Sequence, residues 1–125
     1  MREIIGEAPG RPYSKGTRCG NLVFVSGQLG WDANDDPVPG GAGPQTRQCL
    51  EYAKEVLALA GATLDDVTMV NVYLDDLDRD YDAMNAVYRE YFGNDRLPAR
   101  ATVGVSRLAK GLLVEISCIA VIGSS

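Results

Sequence analysis

Residues 112–121, LLVEISCIAV, constrain the fold of this 125-residue chain more than any other stretch. Side chains alternate across a β-strand. Leu112, Val114, Ile116, Cys118 and Ala120 therefore form one wholly apolar face, and Leu113, Glu115, Ser117, Ile119 and Val121 form the other. The first face has to lie under helices. The second is too apolar to be left in water, yet it carries a charge, Glu115.

The residues just before it, PARATVGVSRLAKG, predict a second strand joined to the first around a Lys-Gly turn. In it Ala101, Val103 and Val105 point one way, and Arg100, Thr102, Gly104 and Ser106 the other. With the apolar faces under the helices, Ala101 is expected toward the helix layer. Arg100 and Glu115 are expected together on the helix-free face. In a hairpin pairing Gly104 with Glu115, Arg100 lies four residues away, roughly 13 Å along the strand. That is a gap rather than an ion pair.

Upstream, LVFV at 22–25 is a short strand, and GTRC before it predicts a hairpin through Gly20-Asn21. Residues 32–44, DANDDPVPGGAGP, read as a flexible loop. They lack the phosphate-cradling G-x-x-x-x-G-K-[ST] pattern. From Gln45 to Ala60 the apolar positions Cys49, Leu50, Ala53, Val56, Leu57 and Ala60 make a helical stripe, with Gly61 suited to end it. T-L-D-D at 63–66 is a capping-box pattern. VTMVNVYL at 67–74 reads as a strand, and Asp80–Phe92 as a second helix followed by Gly93. This order predicts a single α+β domain, residues 1–125, with one sheet and two helices on one of its faces. No segment is left to cover the other face, so another subunit is the natural cover.

The chemistry is bounded by what is missing. There is no histidine, which removes imidazole acid/base catalysis, Ser-His-Asp and Cys-His nucleophiles and His-based zinc sites. Cys19, Cys49 and Cys118 are scattered and odd in number, as reduced thiols are, and none belongs to a C-x-x-C pair. The formal charge of −5, without a basic run, argues against a nucleic-acid partner. No apolar run reaches the roughly 20 residues that span a bilayer, so no membrane partner is expected. The start, MREIIGEAPG, lacks the apolar segment of a secretory signal, and a cytoplasmic location is expected.

Reactivity is therefore left to carboxylates, arginine, hydroxyls, backbone groups and water. Arg100 can grip a carboxylate with two charge-assisted hydrogen bonds. Glu115 can exchange protons. Ser26 is a turn hydroxyl beside Gly27, whose missing side chain allows close backbone approach. Asn85 sits between core positions of the second helix. Tyr13 can pack and bind at a subunit seam.

Several stretches resemble one family in this order and spacing. They are P-Y-S, G-N-L-V-F-V-S-G-Q, V-Y-L-D-D-L, Y-D-A-M-N-A-V-Y-R-E-Y-F, L-P-A-R-A-T-V and R-L-A-K-G-L-L-V-E-I-S-C-I-A-V. Over essentially its whole length the chain is similar to the RidA (YjgF/YER057c/UK114) enamine/imine deaminases. The resemblance implies a chorismate-mutase-like α+β fold, a homotrimer around a central β-barrel, and clefts between subunits. It implies hydrolysis of 2-aminoacrylate and 2-iminopropanoate to a 2-oxo acid and ammonia, without metal or organic cofactor. On that resemblance Arg100 holds the substrate carboxylate and Glu115 orients the attacking water. The backbone at Gly27 and Thr102 helps place substrate and water, Ala101 adjoins them, and Tyr13, Ser26 and Asn85 line the cleft.

Two departures stand out. Ala101 replaces the usual Ser or Thr, and Gln28-Leu29-Gly30-Trp31 brings a bulky Trp31 near the cleft where a proline usually follows. The latter admits a pathway-specific relative acting on an aminoacrylate- or aminomuconate-like enamine. The rival from another class is a non-catalytic trimer that binds small carboxylates. A ribonuclease fits poorly with an acidic chain lacking histidine.

Overall fold

The computed structural model describes all 125 residues. Six strands, β1 Arg2–Ile5, β2 Gly16–Cys19, β3 Leu22–Leu29, β4 Val67–Leu74, β5 Ala99–Gly104 and β6 Val114–Val121, form one sheet. Their order across it is β1-β2-β3-β6-β4-β5. Two helices, α1 Ala42–Leu59 and α2 Leu77–Phe92, cover one face. The α+β class, the mixed sheet and the pair of helices agree with the sequence expectation.

The local signals act as their chemistry requires. β2 and β3 form the expected hairpin, with Cys19 paired to Leu22 and Gly20 at φ 59, the positive-φ first position of a two-residue loop. α1 begins three residues before the apolar stripe. Pro44 fits within that first turn because its missing N–H has no partner to lose. It ends in a Schellman motif: Gly61 at φ 80 donates to the Ala58 carbonyl and Ala62 to that of Leu57. Thr63 and Asp66 complete the capping box. α2 also begins three residues early, because Asp76 caps it by accepting from the Arg79 N–H at 3.0 Å.

One expectation fails. β5 and β6 are not a hairpin. β5 pairs only with β4 and runs parallel to it, because α2 carries the chain over the helix face from one to the other. β6 lies between β3 and β4, antiparallel to both. The Lys-Gly turn exists, with Lys110 at φ 57 and Gly111 at φ 71, but it sits in a connection that crosses the sheet.

β6 is therefore paired on both edges, and its apolar face is the floor of the core. Val114, Ile116, Cys118 and Ala120 lie beside Val23 and Val25 of β3 and Val70, Val72 and Leu74 of β4. Cys49, Leu50, Ala53, Val56 and Leu57 of α1 close the layer, with Met84 and Tyr88 of α2. Cys49 and Cys118 are buried and Cys19 is exposed, all as free thiols. The opposite face is apolar too: one row across it reads Ile4, Thr17, Phe24, Ile119, Met69, Ala99. Phe24 and Ile4 are 39% and 55% exposed there. No helix is long and apolar enough to cross a membrane.

Leu57 is fully buried at the α1–sheet contact. Leu57→Ala is expected to lower unfolding free energy by about 2–5 kcal/mol, as truncations in well-packed cores do. Chemical denaturation monitored by far-UV circular dichroism measures it.

Candidate active site

β5 is an edge strand, and its register decides where Arg100 points. Arg100 pairs with Val70, Thr102 with Val72 and Gly104 with Leu74, all three partners lying under the helices. Arg100 and Thr102 therefore face the helix side. Ala101 pairs with Asn71 on the open face, opposite to the side expected from its apolar character. At the sheet margin the helix layer offers a polar flank, so the polar residues of β5 turn toward α2 and the small apolar ones away from it.

α2 receives Arg100 with three residues on one stripe, Tyr81, Asn85 and Tyr88. Asn85 Oδ1 accepts from Arg100 Nη1 at 2.8 Å. The guanidinium lies 4.7 Å from the centroid of the Tyr88 ring and 6.0 Å from that of Tyr81. Three other arginines form ion pairs, Arg11 with Asp35, Arg47 with Glu90, and Arg79 with Asp76 and Asp80. Arg100 has none, although acidic residues outnumber basic ones 17 to 12. It is held in place and left unneutralised.

Glu115 is held by a different device. It stands on the open face of β6, beside Tyr73 of β4 and Leu29 of β3. Opposite Ser117, β3 carries a bulge: Val25 pairs with Cys118 and Gln28 with Ile116, leaving Ser26-Gly27 against one residue. The bulge brings Gly27 onto the glutamate, and a Cβ there would overlap the carboxylate. Only glycine leaves that carboxylate where it is. Glu115 forms no ion pair, and burial pushes its carboxyl pKa above the ordinary value.

Ser26 and Tyr13 belong to this second cluster. Ser26 Oγ donates to the Ser14 carbonyl at 2.6 Å, and its N–H donates to that of Lys15, tying the Tyr13 loop to the bulge. Tyr13 and Gly27 line a cavity of about 330 Å³ with Trp31, Tyr52 and Arg11. Trp31 is fixed: Arg11 lies 5.0 Å over its ring, and its carbonyl accepts from Tyr52 Oη at 2.7 Å. The segment around it is no flexible connection. Trp31 bridges Pro37, Val38 donates to Gly30, and Asp32 Oδ1 accepts from the Asn34 and Asp36 N–H groups.

The residues singled out thus fall into two groups. Arg100, Asn85 and Thr102 meet at the β5–α2 flank. Glu115, Gly27, Ser26 and Tyr13 meet at the bulge, and Ala101 lies on the open face. Arg100 and Glu115 do not share a face. Arg100 is level with Val70 and Glu115 with Tyr73, two strands apart, which places their Cα atoms roughly 14 Å from one another. Sequence reasoning also missed Tyr88, which the pattern over Asp80–Phe92 does not single out. The signal was a hydroxyl at helical spacing from Asn85.

Comparison with known proteins follows the same lines. The profile of the family described as Endoribonuclease L-PSP matches residues 5–122. The chain belongs to the YjgF/RidA/RutC family. It is 45% identical to a RutC family protein of Pyrococcus horikoshii, covering 96% of this chain and 98% of that one. It is 44% identical to the 3-aminoacrylate deaminase RutC of Acinetobacter baylyi, covering 90% and 88%. Among solved structures, a Rid family protein, YyfA of Yersinia pestis, superposes with a TM-score of 0.89 at 33% identity, covering 98% and 100%. Within this RidA-family fold the two clusters are features of the chain's own geometry.

A carboxyl whose pKa is raised on folding contributes fully below its unfolded value of about 4.3, and that contribution is lost as pH rises through the folded value. Glu115→Gln is therefore expected to unfold a few degrees above the parent at pH 7 and level with it at pH 3, measured by thermal scans across pH.

Proposed function

We propose that this RidA-family chain hydrolyses short enamine and imine carboxylates, in a site that two copies of the chain build together. The observation that carries this reading is the disposition of Arg100 and Glu115. Each is fixed and unpaired, and they lie on opposite faces of one sheet. A single chain cannot put both on one small molecule. A second copy, seated on the apolar open face of the first, can bring its Arg100 flank to the Glu115 of its neighbour. Closing three such interfaces in a ring gives a homotrimer, buries the row from Ile4 to Ala99, and leaves no open sheet face.

The chemistry follows from the groups. The substrate carboxylate lies on the Arg100 guanidinium in a bidentate contact that lysine cannot reproduce. Water adds to the C=N carbon while Glu115 accepts one of its protons and passes it to the imine nitrogen, giving a carbinolamine. Glu115 then takes the hydroxyl proton and delivers it to nitrogen as the C–N bond breaks, so ammonia leaves and the oxygen becomes the carbonyl of the 2-oxo acid. Partial burial of Glu115 favours the addition step, since a raised pKa makes the carboxylate a better base. Imines already hydrolyse in water, so holding the three partners together is a substantial part of the task.

The first substrate pair is 2-aminoacrylate and its tautomer 2-iminopropanoate. The likeness to the deaminase of Acinetobacter baylyi favours a second, 3-aminoacrylate, whose imine carbon lies one bond further from the carboxylate. The distance between Arg100 and Glu115 of neighbouring chains selects between them. Membership in a family named for endoribonucleases does not recommend RNA as substrate, given the charge of −5 and the absence of histidine.

Both substrates are to be generated in situ and their loss followed. Wild type is expected to accelerate loss of one of them, and Arg100→Ala or Glu115→Ala to lower the rate by about 100-fold or more. Loss of 2-iminopropanoate and 3-aminoacrylate no faster than in buffer removes the deaminase reading. A mixing experiment tests the shared site. Equal amounts of the two variants, unfolded and refolded together, are expected to recover about one quarter of wild-type activity, because each mixed trimer contains one intact interface. A mixture as inactive as its components removes the two-chain site.

A further inference from the structure

Two side-chain hydroxyls are buried without a hydrogen-bond partner, Tyr88 Oη and Thr102 Oγ1. Both stand beside Arg100. Tyr88 lays its ring against the guanidinium from α2, and Thr102 follows two residues along β5 on the same face. The other buried polar side chains are all engaged: Gln45 with Leu113, Thr46 with Ala42, Asp66 with Thr63, and Asp80 with Arg79. An unmet buried hydroxyl is destabilising, and native proteins carry few. Two unmet hydroxyls beside an arginine that has no counter-ion point to something that binds there.

Packing does not explain the Tyr88 hydroxyl. The residue is 5% exposed, and its ring stacks on Phe92 with centroids 4.5 Å apart, a contact phenylalanine would make equally well. A cavity of about 200 Å³ opens beside it, lined by Tyr88, Asn85, Arg100, Leu97 and Pro98. Burial raises the phenol to about 12, with Arg100 pulling the other way, so the group is an O–H donor throughout the neutral range. Arg100 directs Nη1 to Asn85 and to the Met84 sulfur, at 2.8 and 3.9 Å, and keeps Nε and Nη2 for an anion.

We propose that the Tyr88 hydroxyl is a second donor to the carboxylate gripped by Arg100, while the Tyr88 ring holds the guanidinium plane. Tyr88 is then a substrate-binding residue that takes no part in proton transfer to the imine. The cavity, which Arg89 also lines, suits a small carboxylate. This deepens the proposed function and rests on its assignment of Arg100 to a carboxylate.

The test is Tyr88→Phe in the full chain, with pyruvate as a non-reacting 2-oxo carboxylate titrated calorimetrically. Because the lost hydroxyl has no partner in the chain, the variant is expected to unfold no lower than wild type. It is expected to bind pyruvate about tenfold more weakly, the effect of one hydrogen bond to a charged group. KM for the imine should rise by a similar factor with little change in kcat. Unchanged pyruvate affinity in Tyr88→Phe, with binding abolished by Arg100→Ala, overturns the role of Tyr88 and leaves the carboxylate site standing. Unchanged affinity together with a lower unfolding temperature also overturns it, and assigns the hydroxyl to a contact between chains. Failure of wild type to bind pyruvate overturns both assignments at once.

Discussion

The architecture depends on β6 being hydrogen-bonded along both edges. A strand antiparallel to both β3 and β4 makes those two parallel and so requires a crossover between them, and the parallel β4–β5 pair requires a second over the same face. α1 makes the first crossover, from β3 to β4. α2 makes the second, from β4 to the parallel edge strand β5. The core is the space those crossovers roof. Arg100 owes its position to the second crossover, because α2 stands over the β4–β5 margin and presents Asn85 and Tyr88 there. Glu115 owes its position to the start of β6, on the face the helices do not reach.

Both charges are held at some expense to the fold. A carboxylate drawn partly out of water without a cation raises its own pKa, and a guanidinium without a counter-ion forgoes the pairing that Arg79 obtains from Asp80. Stability alone would pair them or replace them. The chain instead supports each with a neighbour that brings no counter-charge. Gly27 leaves no side chain in the bulge against Glu115, and Tyr88 supplies a ring face rather than an acid beneath Arg100. Such local breaches of folding logic mark functional positions.

Much of this was legible in residue order. The α1 stripe, Gly61, the Thr63 capping box, Gly20-Asn21 and VTMVNVYL each specify a local conformation through short-range chemistry, and each takes it. The failures share one cause. Residue order makes strands adjacent in sequence look adjacent in the sheet, and alternation equates apolar with helix-facing. In β5 that rule inverts, because an edge strand flanked by a polar helix margin and an apolar open face reverses the usual sense of inside and outside. The single register Val70–Arg100 moves Arg100, Ala101 and Thr102 to faces no alternation pattern could assign without it. Trp31 is similar: its segment looks like a loop, and its order comes from distant partners, Arg11 and Tyr52.

The inversion of β5 also changes what the proposed site requires. With both charges on one face, a single chain could offer a complete, permanently open pocket, and association would merely cover it. With the charges on opposite faces, neither half can act until chains meet. In the proposed site, association would then be part of assembling the two groups, with the apolar row from Ile4 to Ala99 as the surface that meets the neighbouring chain. A reactive imine suits such an arrangement, since it needs no potent nucleophile, only a carboxylate grip and a proton acceptor at fixed separation. Rigid strands on two chains can set that separation more firmly than one flexible loop. This gives a histidine-free chain a route to catalysis with an arginine, a glutamate and the glycine that makes room for it.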